Sequence, residues 1–279
     1  MNFEQVHDKI LFVPIVDTTL QLSVDRDDYY LLFKKNYYST SFIKTPTFKI
    51  DIKKTDFYSF ILKKNTENSG VLFYPKKAQF YIVNGVLMAF IEHFTFFKNI
   101  FFLHASSFIK NDKAYLFCGP SGTGKTTIIK AINQKQVLSD DIAVLKKIGK
   151  NFFIFPSPFD NVKHKNYHFK GYHIHKIFFL KQSDKTKFVR LDFPDALSQI
   201  ISNNLFGIYI LEKAKKIMKK KDKSLLSPKT AITNERNLAK KLIKFLYRMA
   251  INLSLSTSLY KLYFTKDLRF LSQIEINES

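Results

Sequence analysis

The sequence predicts an α/β (α+β) protein in which a mixed sheet with flanking helices is preceded by a smaller β-rich N-terminal part. Three observations lead there. Before residue 55, short runs rich in β-branched and aromatic residues are separated by polar breaks. Beyond residue 100, strand-like runs alternate with amphipathic helical stretches. Within that second region, residues 114–133 read without interruption as an apolar strand, a glycine-rich turn and a helix. The change of character near residue 100 divides the chain into a β-rich region plus helix, 1–98, and a second domain, 99–279, with a lysine-rich helical C-terminal part. At 279 residues, 46% of them hydrophobic, there is ample material for one large core or two.

In chain order, residues 11–16, 18–24, 29–33 and 47–52 are the β-rich runs, expected to pair antiparallel. Residues 71–74 and 79–83, separated by Pro75-Lys76-Lys77, are expected as a second hairpin-like pair. Residues 84–97 place Val86, Phe90, Ile91 and Phe94 on one face of a helix. Residues 101–109 and 114–118 are predicted strands joined at Asn111-Asp112, a hairpin turn signal. A helix over 126–133 carries Ile128, Ile129 and Ile132 at helical spacing. A strand over 137–145 has two adjacent carboxylates at its start. Further strands are expected at 152–155, 174–180 and 187–191, with a His- and Lys-rich loop at 160–172 and an amphipathic helix at 194–203. Residues 205–249 read as lysine-rich helix split at 224–233, where Pro228 breaks the pattern. A strand at 258–264 and a closing helix at 267–273 complete the chain.

The turn after residue 118 carries the clearest chemistry. Gly119-Pro120-Ser121-Gly122-Thr123-Gly124-Lys125-Thr126 satisfies G-x-x-x-x-G-K-[ST] at every fixed position, the Walker A pattern, and Thr127 follows it. In such a loop several backbone N–H groups turn inward around a phosphate chain, the lysine reaches the outer phosphates, and the Thr126 hydroxyl can ligate Mg²⁺. Only glycine lets the backbone approach that closely, and three of the chain's 8 glycines fall between residues 119 and 124. A nucleotide-phosphate site is expected, with ATP and Mg²⁺ as the ligands of the reaction below.

The formal charge of +22 would ordinarily suggest nucleic acid or an anionic surface as partner. It is carried almost wholly by lysine, amid abundant Phe, Ile, Asn and Tyr and no tryptophan, the mixture an AT-rich coding sequence produces. Arginine, the usual reader of base edges, is scarce, and nucleic acid is not expected as a partner. The single cysteine, Cys118, excludes an internal disulfide and reads as a small buried residue. The first residues lack the basic-then-apolar layout of a signal peptide, and the apolar region at 80–102 is interrupted by Asn84, Glu92, His93, Lys98 and Asn99. A cytoplasmic protein with no membrane partner is expected.

A phosphate loop alone names no reaction. Phosphoryl transfer also needs a second oxygen ligand on the metal side and a group to take the acceptor's proton. Asp140-Asp141, arriving on the next strand, can supply both; the alternative is a helix cap or solvated turn without chemistry. His104, in an apolar strand, reads either as a satisfied core histidine or as a site residue. His164, His168, His173 and His175 lack metal spacing and read as solvated loop residues.

Leu103-His-Ala-Ser-Ser107, Phe117 through Thr127, and Val137-Leu-Ser-Asp-Asp141, in that order and spacing, resemble the catalytic domain of HPr kinase/phosphorylase and its smaller relatives, the HPr-kinase-like serine kinases. Looser similarity continues through 155–159, 176–181 and 260–264. The resemblance implies a phosphoenolpyruvate-carboxykinase-like variant of the P-loop architecture, with Gly119 to Thr126 on the ATP phosphates and Thr126 on Mg²⁺. It also implies Lys125 and His104 as active-site residues, Asp140 as the base and Asp141 as a metal-side carboxylate. Thr127 stands where the family commonly has an acidic residue, and the N-terminal third does not match the regulatory domain of the HPr enzyme. The acceptor is therefore expected to be a serine on a small protein or peptide rather than HPr itself, and a homo-oligomer is compatible with the reading. Two alternatives stay open: a small-molecule kinase of the free-serine type, and a P-loop regulatory or nucleic-acid-binding protein that grips through the lysine clusters at 213–223 and 240–244.

Overall fold

The computed structural model describes residues 9–37, 45–56, 61–159, 170–204, 229–265, 268–272 and 274. Two sheets organise them. The first contains β1 (Lys9–Ile15), β2 (Thr18–Val24), β3 (Phe48–Thr55), β4 (Ile61–Thr66) and β5 (Ser69–Pro75), in the order β1-β2-β3-β5-β4. The pairs β1–β2 and β4–β5 are antiparallel, but β2–β3 and β3–β5 are parallel. The expected all-antiparallel arrangement is thus corrected to a mixed sheet.

The parallel β2–β3 pairing requires a crossover, and α1 (Asp27–Asn36) supplies it. Residues 29–33, expected as a β-rich run, are helical. Tyr29, Phe33 and Tyr37 recur every fourth residue and are buried, Leu31 is exposed, and acidic and basic residues flank the helix at its favoured ends. The expected strand at 79–83 is likewise the first turn of α2 (Phe80–Thr95), where Val83 is buried but Tyr81 and Ile82 are exposed.

The second sheet has the order β10-β9-β6-β7-β11-β13-β12. Its strands are β6 (Ile100–Lys110), β7 (Lys113–Cys118), β8 (Val137–Ser139), β9 (Ile142–Ile148), β10 (Asn151–Phe155), β11 (Tyr172–Gln182), β12 (Lys187–Arg190) and β13 (Ser258–Phe264). The β6–β7 turn has φ of 51° at Asn111 and 56° at Asp112, the doubly left-handed geometry that Asn-Asp tolerates. β7, β11 and β13 run parallel, so their C-terminal ends share one edge. β10 also pairs with the start of β11, through Phe153↔His173 and Ile154↔Tyr172, closing β10, β9, β6, β7 and β11 into a curled ring.

Alternating side chains on these strands face different cores. Phe101, Leu103, Leu116 and Leu145 face inward, where α4 (Phe193–Asn203) and α5 (Lys229–Ser256) cover them with residues such as Ile200, Phe245, Met249 and Leu253. On the outer face, Phe117, Phe178 and Leu262 meet α3 (Lys125–Lys130) and the 3₁₀ turn Leu268–Ser272, which stands where a closing helix was expected. Elsewhere on that face Phe102, Val144 and Phe155 join the core of the first sheet, α1 and α2.

A buried polar strut crosses this junction. Glu92 of α2 accepts from the Phe102 N–H at 2.8 Å and from the Asn204 amide at 2.7 Å, while Asn204 also donates to the Phe102 carbonyl at 2.7 Å. Lys146 of β9 reaches Asp17, in the β1–β2 turn, at 2.7 Å. Among the described residues no helix is long and apolar enough to cross a membrane. The lysine cluster at 213–223 and the break at Pro228 lie outside the described residues.

Candidate functional site

β7 is buried from Ala114 to Cys118, and the chain leaves the sheet at its C-terminal end to turn through residues 119–124 into α3. The turn needs its glycines: φ is 84° at Gly122 and 106° at Gly124. A Cβ on Gly124 would also lie 2.6 Å from Phe264 Cζ, so the loop backbone presses directly on the end of β13. Thr123 Oγ1 donates to the Pro120 carbonyl at 2.7 Å, which ties the loop to itself.

Lys125, only 6% exposed, folds its ammonium under this loop. Its Nζ donates to Gly119 O at 2.6 Å and to Pro120 O at 3.2 Å. Burial pushes the ammonium below the usual lysine range, and the Asp141 carboxylate offsets part of that. Cys118 behind it is fully buried, which pushes its thiol up to about 12 and fits the expected inert core residue.

The acid pair comes to this loop through strand pairing. The expected single strand at 137–145 is two: β8 and β9 both run beside β6, and the chain bends between them at Asp140-Asp141. Ala105 N donates to Asp141 O at 2.9 Å; Ser139 Oγ, 2.6 Å from Ser107 Oγ, donates to Ala105 O at 3.2 Å. These bonds anchor the bend. His104 Nε2 then lies 2.8 Å from Asp141 Oδ1. Burial works to raise the Asp141 carboxyl, but the His104 hydrogen bond and the charges of His104 and Lys125 outweigh it and hold the group below the ordinary carboxylate range.

A cavity of about 830 Å³ opens over the loop. Ser121, Gly122, Gly124 and Lys125 to Thr127 form its floor, and Asp141 stands on one side. Gln182, Ser183 and Asp184, at the end of β11, and Phe264 and Thr265, at the end of β13, form the other. Gln182 Nε2 donates to Gly122 O at 3.0 Å, fastening that wall to the floor.

Of the residues singled out from sequence, the loop, Lys125, Thr126 and Asp141 meet at this cavity, and His104 joins through Asp141. Gly119, Pro120 and Thr123 form the cradle of the lysine rather than the cavity lining. Asp140 is half-buried with its Oδ1 in the interior, and it is not among the lining residues. Gln182 to Asp184 and Phe264-Thr265 were not foreseen, although ligand crevices form beyond the carboxyl ends of parallel strands. His173 and His175, expected in a solvated loop, sit on β11, while His164 and His168 lie outside the described residues.

Thr126 and Asp141 offer oxygen ligands on the same cavity, the donor type Mg²⁺ requires. Among the described residues no three His, Cys, Asp or Glu side chains cluster as a metal cage, but Mg²⁺ shared with phosphate needs only one or two carboxylates. The chain matches no protein-family model, and no curated protein matches it.

Proposed function

We propose that this chain is an ATP- and Mg²⁺-dependent kinase that transfers the γ-phosphoryl group to a hydroxyl, a serine on a small protein or peptide. One observation carries the reading: Lys125, Thr126 and Asp141 open onto a single cavity, with His104 bonded to that aspartate. The antiparallel β6 beside parallel β7, β11 and β13 supports a P-loop domain of the phosphoenolpyruvate-carboxykinase-like type, as in HPr-kinase-like serine kinases.

In this reading the loop amides and Lys125 hold and orient the phosphates. Thr126 and Asp141 would hold Mg²⁺, which when bound neutralises charge developing on the phosphate oxygens. His104 keeps the Asp141 carboxylate ionised and aimed at the cavity. The acceptor oxygen forms its bond to the γ-phosphorus as the bond to the leaving ADP oxygen breaks; the hydroxyl proton goes to Asp140, the base the family resemblance implies, whose carboxylate must turn from the interior toward the cavity to take it. The wall made by Gln182, Ser183, Asp184, Phe264 and Thr265 receives the nucleoside end, opposite the acid side where chemistry takes place.

The test is transfer of radiolabelled γ-phosphate from ATP to serine-bearing small proteins and peptides. Asp140→Asn should lower transfer about 10²–10⁴-fold, the usual cost of losing a positioned base, while ATP binding persists. Undiminished transfer by that variant would remove Asp140 as base. Absence of any ATP binding by the wild-type chain would refute the kinase reading itself.

A further inference from the structure

We infer that the outward face of α5 is a docking surface for an acidic amphipathic helix of a partner protein. Ile243, Tyr247, Ile251 and Leu255 recur every fourth residue along it and are 38%, 47%, 37% and 73% exposed. The helix cannot roll to hide them, because Phe245, Leu246, Met249 and Leu253 already hold its other side in the inner core. Three turns of apolar residues in water are a cost a helix normally avoids.

A groove of about 580 Å³ lies beside the middle of this face, lined by Phe96, Phe245, Tyr247 and Ile251. A groove receives inserted side chains, whereas a flat lipid surface needs a protruding apolar ridge. A groove bordered by apolar residues at four-residue spacing accepts anchors at i, i+3 or i+4, and i+7 of a second helix.

Charge fixes the chemistry of that helix. Lys244 and Arg248 line the groove, and among the described residues no acidic side chain does. Arg248 stacks over the Phe245 ring at 5.6 Å, leaving its guanidinium edge for a carboxylate. Over its whole length α5 carries six Lys or Arg against one Glu. A second copy meeting this face across a two-fold axis would bring the Lys244-Arg248 row against itself, so self-association is opposed. An acidic partner is attracted. The groove shares no residue with the phosphate-loop cavity, so the proposal stands apart from the kinase reading.

The test uses the full chain and two synthetic helical peptides with the same leucine anchors, one flanked by Glu and one by Lys, followed by fluorescence anisotropy. The acidic peptide should bind, more weakly as salt rises, and the basic one at least ~10-fold less tightly. Lys244→Glu with Arg248→Glu, both exposed, should reverse that order while the cooperative melt is retained, and Tyr247→Glu should weaken both peptides. Equal binding of the two peptides, or no reversal by the double variant, overturns the proposal. So does a dimer in sedimentation that Tyr247→Glu abolishes, or binding to anionic vesicles in preference to the acidic peptide.

Discussion

Replacing Lys125 by methionine separates a phosphate-binding lysine from a structural one. The side chain is 6% exposed, and its ammonium has two backbone carbonyls and a partly exposed aspartate as company. Burying a charge costs several kcal/mol, and its hydrogen bonds return about 1.5–3 kcal/mol each. Methionine removes both contributions at similar volume. Pro120 O keeps the Thr123 hydroxyl at 2.7 Å, so the unmatched loss is one carbonyl, Gly119 O, at about 1–3 kcal/mol. These contributions nearly cancel, and the ligand-free variant should lie within about 1 kcal/mol of wild type. The protonated lysine is disfavoured in the folded state, so its cost is full below the lowered folded value, fades as pH rises through it and is gone above the unfolded value of 10.5. Wild type should therefore gain on the variant in alkali. With ATP and Mg²⁺ at a hundred times Kd, wild type should gain about 3 kcal/mol, roughly 5–10 °C in Tm, and the variant almost none of it. Differential scanning fluorimetry at neutral and alkaline pH reads all three effects. A ligand-free variant destabilised by more than about 4 kcal/mol, or an undiminished ATP shift, would refute the reasoning.

Three further outcomes are expected. Gly124→Ala places a Cβ 2.6 Å from Phe264 Cζ at φ of 106°; it should destabilise the chain by about 1–3 kcal/mol and lower the ATP-induced Tm shift, both visible in thermal melts. Glu92→Ala leaves the buried Phe102 N–H and Asn204 amide short of an acceptor and should cost about 3–5 kcal/mol in denaturant titration, with Glu92→Gln milder because it keeps one oxygen. Because the Asp141 carboxyl is held below its ordinary value of 3.8, its contribution is present above that pH and lost as pH falls through the lower folded value. Wild type should exceed Asp141→Asn by under about 1 kcal/mol at neutral pH, since the side chain is 61% exposed, and the gap should close in acid melts.

Local patterns were legible in the sequence wherever one residue type answers one local demand. The glycine-rich loop is the clearest case, since Gly122 and Gly124 adopt the left-handed conformations their spacing predicts. Asn111-Asp112 makes the expected turn for the same reason. Aromatic residues misled, because they suit a pleated surface and a helix stripe alike. Tyr29, Phe33 and Tyr37 carry a four-residue period that distinguishes the two, and it decides for helix. β4 escaped notice because only its first residues are apolar. Parallel pairing of β2, β3 and β5 depends on partners distant in sequence, which local composition does not encode. The His104–Asp141 contact is of that kind: it follows from His104 standing opposite Ile142 across two strands.

The first sheet and α2 finish the outer side of β6, β9 and β10, meeting Ile100, Phe102, Ile142, Val144 and Phe155. Each such side chain returned to water forfeits about 1.5–3 kcal/mol, a combined loss on the order of the entire stability of an ordinary domain. Excising the stretch after residue 98 to study the glycine-rich loop in isolation would strip this back wall and leave those side chains in water. The N-terminal third is therefore structural cover for the two thirds of the chain that carry the loop.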